Sequence, residues 1–142
     1  MANPMAFLPI HKVDLTGIAP RAAIDCMRYI RPVGSRVTCD PAPMDTDCDY
    51  LVLTRSQKIH TILQKDGWTQ DTGAPKNNNP RDYTNAVHFK SWRKGETNLI
   101  ITDKGTFYDK FVLASRLAKQ FNLLKKADRI ALFQAVLYGN AS

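Results

Sequence analysis

The sequence predicts an α+β fold, a small mixed β-sheet flanked by helices, and three observations carry that reading. Apolar residues recur at helical spacing in four stretches. A short apolar run, Tyr50 to Leu53, and an alternating hairpin pattern between residues 87 and 102 read as strands. The order is helix, Gly-Ser turn, strand, helix, loop, hairpin and two helices, which suits an α+β domain with a small mixed sheet flanked by helices.

The chain has 142 residues, of which 44% are hydrophobic and 23% charged, so a single domain spanning 1–142 with a sizeable core is expected. Its core should cover about residues 20–121, followed by a C-terminal helix over 125–138.

Residues 1–15 carry Phe7, Leu8, Ile10 and Val13 around two prolines and read as an arm or short strand, with His11 exposed. Pro20 suits the first turn of a helix, and Ile24, Met27 and Ile30 or Arg31 continue at helical spacing up to Pro32, with Met27 and Tyr29 as packing residues. Pro41 and Pro43 make the connection after Ser35 a shaped loop. Asp47 to Leu53 follows as a strand. The segment after Thr54 is an amphipathic helix with Ile59, Ile62 and Leu63 as its stripe, Thr54 or Ser56 as its cap and Asp66-Gly67 as its end. Trp68 should pack back on that end, and His60 lies beside the stripe, as a surface residue.

Residues 69–85 concentrate Pro, Gly and Asn without an apolar face, so they read as a long loop. Val87, Phe89 and Ser91 then oppose His88, Lys90 and Trp92. Arg93-Lys94-Gly95 supplies a turn, and Glu96 to Thr102 forms the returning strand. Thr106 and Asp109 resemble a capping box before a helix through Phe121, and the final helix carries Ile130, Phe133, Val136 and Leu137 up to Gly139. The basic residues of these two helices form a solvated face, with Lys104, Lys110 and Lys119 as alternatives for reaching a phosphate.

No apolar run approaches the roughly 20 residues of a membrane span, and the N-terminus lacks the pattern of a secretory signal, so a cytoplasmic protein is expected. Cys26, Cys39 and Cys48 show no metal-ligand spacing and are odd in number, which argues for reduced thiols, with Cys48 as a small core residue. The net charge of +7 points to anionic partners, nucleotides and nucleic acids alike.

The chemistry concentrates between Val33 and Leu53. On a strand, Asp47 and Asp49 project to one side about 7 Å apart. Mg²⁺ is commonly held by one or two carboxylates together with substrate phosphates, and the Gly34-Ser35 turn would offer those phosphates its backbone N–H groups, with Arg36 in reach.

Gly-Ser followed thirteen residues later by Asp-x-Asp on an apolar strand resembles the signature of the DNA polymerase beta-like nucleotidyltransferase superfamily. The resemblance implies Asp47 and Asp49 as metal ligands, Mg²⁺ or Mn²⁺ as cofactor and Gly34, Ser35 and Arg36 as nucleotide-binding residues. It also implies a third carboxylate on a strand paired with the Asp-x-Asp strand. The matching position is Asn98, with Glu96 two residues earlier as a substitute. Asparagine can supply a neutral oxygen but cannot take a proton. The small size is similar to that of stand-alone bacterial and bacteriophage members, which would place a phage protein in its host's cytoplasm.

The implied function is transfer of a nucleoside monophosphate from a nucleoside triphosphate to an acceptor hydroxyl on a protein, an RNA or a small molecule, with release of pyrophosphate. Asn98 motivates an alternative, a catalytically impaired member that binds a nucleotide or a partner protein. A third reading is a basic nucleic-acid-binding module using the hairpin tip at Arg93 and Lys94.

Overall fold

The computed structural model describes residues 15–39, 48–71 and 88–138. Residues 1–14, 40–47, 72–87 and 139–142 lie outside the described residues, and with them the expected N-terminal arm, the expected loop with Pro41, Pro43 and Asp47, most of the loop expected over 69–85, Val87 and Gly139.

Pro20 precedes helix α1, Arg21–Cys26, whose C-cap Met27 is already extended at φ −80° and ψ 131°. The chain then forms strand β1, Tyr29–Val33, where helical spacing predicted a continued helix. Pro32 is the physical reason: it lacks a donor and disfavours the α region at Arg31. A proline is acceptable here because β1 is an edge strand, bonded only to β2, Cys48–Leu53. Met27 and Ile30 are buried together on one side, so a strand following a short helix imitated a single helical stripe.

Between these strands lies a one-turn helix, α2, Ser35–Thr38, entered through Gly34. After β2 come helix α3, Lys58–Lys65, and strand β3, Thr69–Asp71. Strands β4, Lys90–Lys94, and β5, Thr97–Thr102, form the expected hairpin. Its connection is Gly95-Glu96, with Gly95 at φ 59°, and Arg93 and Lys94 belong to the strand. Helices α4, Gly105–Gln120, and α5, Lys126–Tyr138, complete the chain.

The sheet order is β1-β2-β5-β4-β3, with β2 and β5 parallel and every other pair antiparallel. It is the expected small mixed sheet flanked by helices. Successive residues of β2 and β5 are buried on opposite faces, which explains their unbroken apolar runs. On one face, Val52, Leu99, Ile101 and Trp92 pack with Ile59 and Leu63 of α3, Ala23 of α1 and Trp68. On the other, Leu51, Ile100, Val33 and Phe89 pack with Phe107, Phe111 and Ala114 of α4 and with Phe133 and Leu137 of α5.

Helix α3 ends as its sequence predicts, at Asp66-Gly67 with Gly67 at φ 89°, and Trp68 N–H returns to the Leu63 carbonyl at 3.0 Å. Its start does not: the N-cap is Gln57, without a side-chain cap bond. The capping box at Thr106 and Asp109 is likewise not formed, because α4 starts at Gly105 behind Lys104. Threonines at the strand ends take up the local donors instead. Thr54 Oγ1 accepts from Ser56 N–H, and Thr102 Oγ1 accepts from Lys104 N–H, both at 3.1 Å. Strand β3, formed without an apolar residue, extends the sheet into the segment that composition assigns to a loop.

Candidate functional site

The register aligns Val33, Asp49, Asn98 and Arg93 in one row across β1, β2, β5 and β4. Side chains two residues apart share a face, so Asp49 and Asn98 stand on the side of Leu51 and Ile100, toward α4 and α5. Both are half-buried. The strand that carries Asp49 is therefore paired with the second hairpin strand, and Asn98 is the residue opposite Asp49.

Gly34 follows Val33 and turns the chain at φ 87° and ψ −177°, a region that strongly favours glycine. A β-carbon added there would lie 2.4 Å from Asp49 Oδ2 and 3.1 Å from its Cβ and Cγ. The carboxylate thus rests directly against the glycine backbone. Val37 and Thr38 N–H both donate to the Gly34 carbonyl at 3.0 Å, so the N–H groups of Ser35 and Arg36 precede the first helical donors, where a helix leaves amides for outside acceptors.

Asn98 Nδ2 donates to Asp49 Oδ1 at 3.2 Å, and Ser91 Oγ donates to Asn98 Oδ1 at 2.7 Å. The anionic carboxylate accounts for this orientation, since turning the amide around would set two oxygens against each other. Ser91 is buried and its hydroxyl can also accept, so the same pair could reverse beside a cation.

Arg31 lies two residues before Val33 and is paired with Leu51, which places it on the same face as Asp49. Its Nη1 is buried without a hydrogen-bond partner among the described residues. Burial raises the pKa of Tyr108, while the Arg31 charge works in the opposite direction. Sequence periodicity missed Arg31 because it assigned this segment to a helix. Ser91 was legible only as a polar residue on the Phe89 side of an alternating strand.

The remaining predicted site residues are placed differently. Ser35 is half-buried at the start of α2, and Arg36 belongs to the same turn of helix. Glu96 is exposed in the hairpin connection, and its carbonyl accepts Cys48 N–H at 2.7 Å. Asp47 lies outside the described residues. Among the described residues no group of three or more His, Cys, Asp or Glu is arranged to hold a metal.

Two histidine and cysteine expectations change. His60 is half-buried, accepting Trp92 Nε1–H on Nδ1 at 3.0 Å, and its pKa is lowered by burial and then by Lys90. Cys48 is half-buried where a core residue was expected, and none of the three cysteines forms a disulfide. Cys39 is the buried one, and Arg129 Nη1 contacts its Sγ at 3.2 Å while donating to the Leu123 and Leu124 carbonyls.

At the hairpin, Lys94 Nζ donates to the Asp66 carbonyl at 2.7 Å and pairs with its carboxylate at 3.2 Å. That basic side chain ties the hairpin to the end of α3. No helix among the described residues is long and apolar enough to cross a membrane. Comparison with family models, curated proteins and solved structures finds no match for this chain.

Proposed function

We propose that this protein binds a nucleoside triphosphate with its divalent cation at the Gly34 turn and Asp49, as a nucleotidyltransferase-like protein. The observation that carries the reading is the contact between the Asp49 carboxylate and the Gly34 backbone, at adjoining ends of β1 and β2. It sets a hard oxygen ligand beside backbone amides, the two features that a metal-bound polyphosphate requires. Arg31 supports it as well, since a buried guanidinium nitrogen without a partner among the described residues favours an anion nearby.

The donor set fits Mg²⁺ or Mn²⁺ that arrives with its nucleotide. One described carboxylate does not make a metal cage, but such ions are often held by one or two carboxylates with phosphate oxygens completing the shell. Asp49 would hold the ion, and Asp47 joins it on the sequence pattern alone. When bound, the ion would neutralise charge on the phosphates. Ser35 and Arg36 N–H would grip phosphate oxygens, and Asn98 would orient Asp49.

In the transfer reading, an acceptor hydroxyl attacks the α-phosphorus and pyrophosphate leaves. Asn98 favours a second reading, binding without transfer, because it cannot take the proton of that hydroxyl. Equilibrium dialysis with labelled nucleoside triphosphates should give saturable, Mg²⁺-dependent binding that Asp49→Asn abolishes. Equal binding by the variant would refute the site. Pyrophosphate release in the presence of a cell extract then separates transfer from binding.

A further inference from the structure

A small cleft, about 100 Å³, opens at the other end of β2 and β5 from Asp49 and Asn98. Five residues of strand, about 16 Å, separate the two places. Here the adjacent parallel strands send their helices to opposite sides of the sheet, α3 onto the Trp92 face and α4 onto the Phe89 face. Such a divergence leaves a crevice beyond the carboxyl ends of the strands, the usual ligand position of open α/β sheets.

The cleft is lined by Gln57, His60, His88, Lys90, Asp103 and Lys104, together with Thr54 and Thr102 at its floor. One carboxylate faces two lysines and two histidines. Asp103 is already engaged, accepting from Gln57 Nε2 and pairing with Lys104 Nζ, both at 3.5 Å. Lys90 is exposed and has no ion pair among the described residues. His60 Nδ1 accepts from the Trp92 indole, which puts the proton of the neutral ring on Nε2 and makes His60 a donor to any second partner. That commitment of Nδ1, and the lack of a metal-ligating trio among the described residues, argue against a cation as occupant.

We infer that this cleft is a second anion site, taking a single phosphate group on donors from three separate elements: Lys90 of β4, His60 of α3 and Lys104 before α4. It is independent of the nucleotide reading and lies at the opposite end of β2 and β5. Burial and then the Lys90 charge lower the pKa of His60 while Asp103 works against them, and a phosphate in the cleft would act in the same sense as Asp103, favouring the protonated form.

The probe is inorganic phosphate, titrated into the full chain at constant ionic strength against chloride, with the histidine ring resonances followed by NMR. Saturable shifts at His60 and His88, and a rise in the apparent pKa of His60, are expected with phosphate and not with chloride. Lys90→Ala removes an exposed side chain and should weaken phosphate binding roughly tenfold, the size of one charge-assisted hydrogen bond. It should leave Mg²⁺-dependent nucleotide binding unchanged. Shifts that chloride reproduces, or phosphate affinity unaltered by Lys90→Ala, would overturn the assignment.

Discussion

Asn98 donates its side-chain amide to Asp49 across the parallel β2–β5 pair at 3.2 Å, while Ser91 holds the other end of that amide at 2.7 Å. The place where the superfamily resemblance expects a carboxylate is therefore a hydrogen-bond donor to one. Asn98→Asp replaces attraction by repulsion between two half-buried carboxylates. Without divalent ions the variant should lose about 1–3 kcal/mol, the range for leaving a buried polar group badly partnered. Mg²⁺ should restore much of that loss, because a cation that binds only the folded state stabilises it. Thermal unfolding in EDTA and in Mg²⁺ measures both, and a variant indifferent to Mg²⁺ would contradict a metal position at Asp49.

Gly34 and Gly95 both have positive φ, at 87° and 59°, yet only Gly34 is in contact with another side chain. Alanine at Gly95 would meet nothing within 4 Å among the described residues and so carries backbone strain, about 1 kcal/mol. Alanine at Gly34 adds a methyl 2.4 Å from Asp49 Oδ2, and the loss should reach about 3 kcal/mol or more. Urea unfolding of the two variants tests the difference. Comparable losses would mean that the carboxylate moves aside easily.

The fold was readable where pattern and tertiary structure agree. The stripe Ile59, Ile62 and Leu63, the Asp66-Gly67 stop and the apolar runs of β2 and β5 each have one physical solution, and the structure adopts it. The β1 segment was not readable from spacing, because Met27 and Ile30 reach the same core by two backbone conformations in succession. Pro32 was the better signal, and it outweighs a three-residue stripe. Within the site, the superfamily resemblance matched Asn98, on the legible hairpin strand, to the place opposite Asp49, whereas the β2–β5 register itself is not set by the hairpin. Arg31 could not, since its face is set by β1, and neither could the engagement of His60 with Trp92, which joins residues 32 positions apart.

Arg31 offers a test in which stability and binding move in opposite directions. Its Nη1 is buried without a partner among the described residues, so Arg31→Met keeps the apolar length of the side chain and removes that donor. The variant should be more stable by about 1 kcal/mol, as when an uncompensated buried polar group is replaced by a hydrophobic one of similar size. Nucleotide affinity should fall at the same time. Lower stability together with unchanged binding would make Arg31 a packing residue with no part in the site.

The last prediction concerns pH. His60 has a pKa below the ordinary 6.5, chiefly through burial, so the unfolded chain takes up a proton more readily than the folded one. Its contribution to stability is complete above about pH 6.5 and is lost as pH falls toward the folded-state value. Protonation also puts a hydrogen on Nδ1, which ends its role as acceptor for Trp92 Nε1–H. Gln at position 60 does not titrate and keeps an acceptor oxygen in the side chain. Urea midpoints compared at about pH 7.5 and about pH 5.5 should fall less in His60→Gln than in the wild type. Equal falls in the two proteins would place the acid sensitivity elsewhere in the fold.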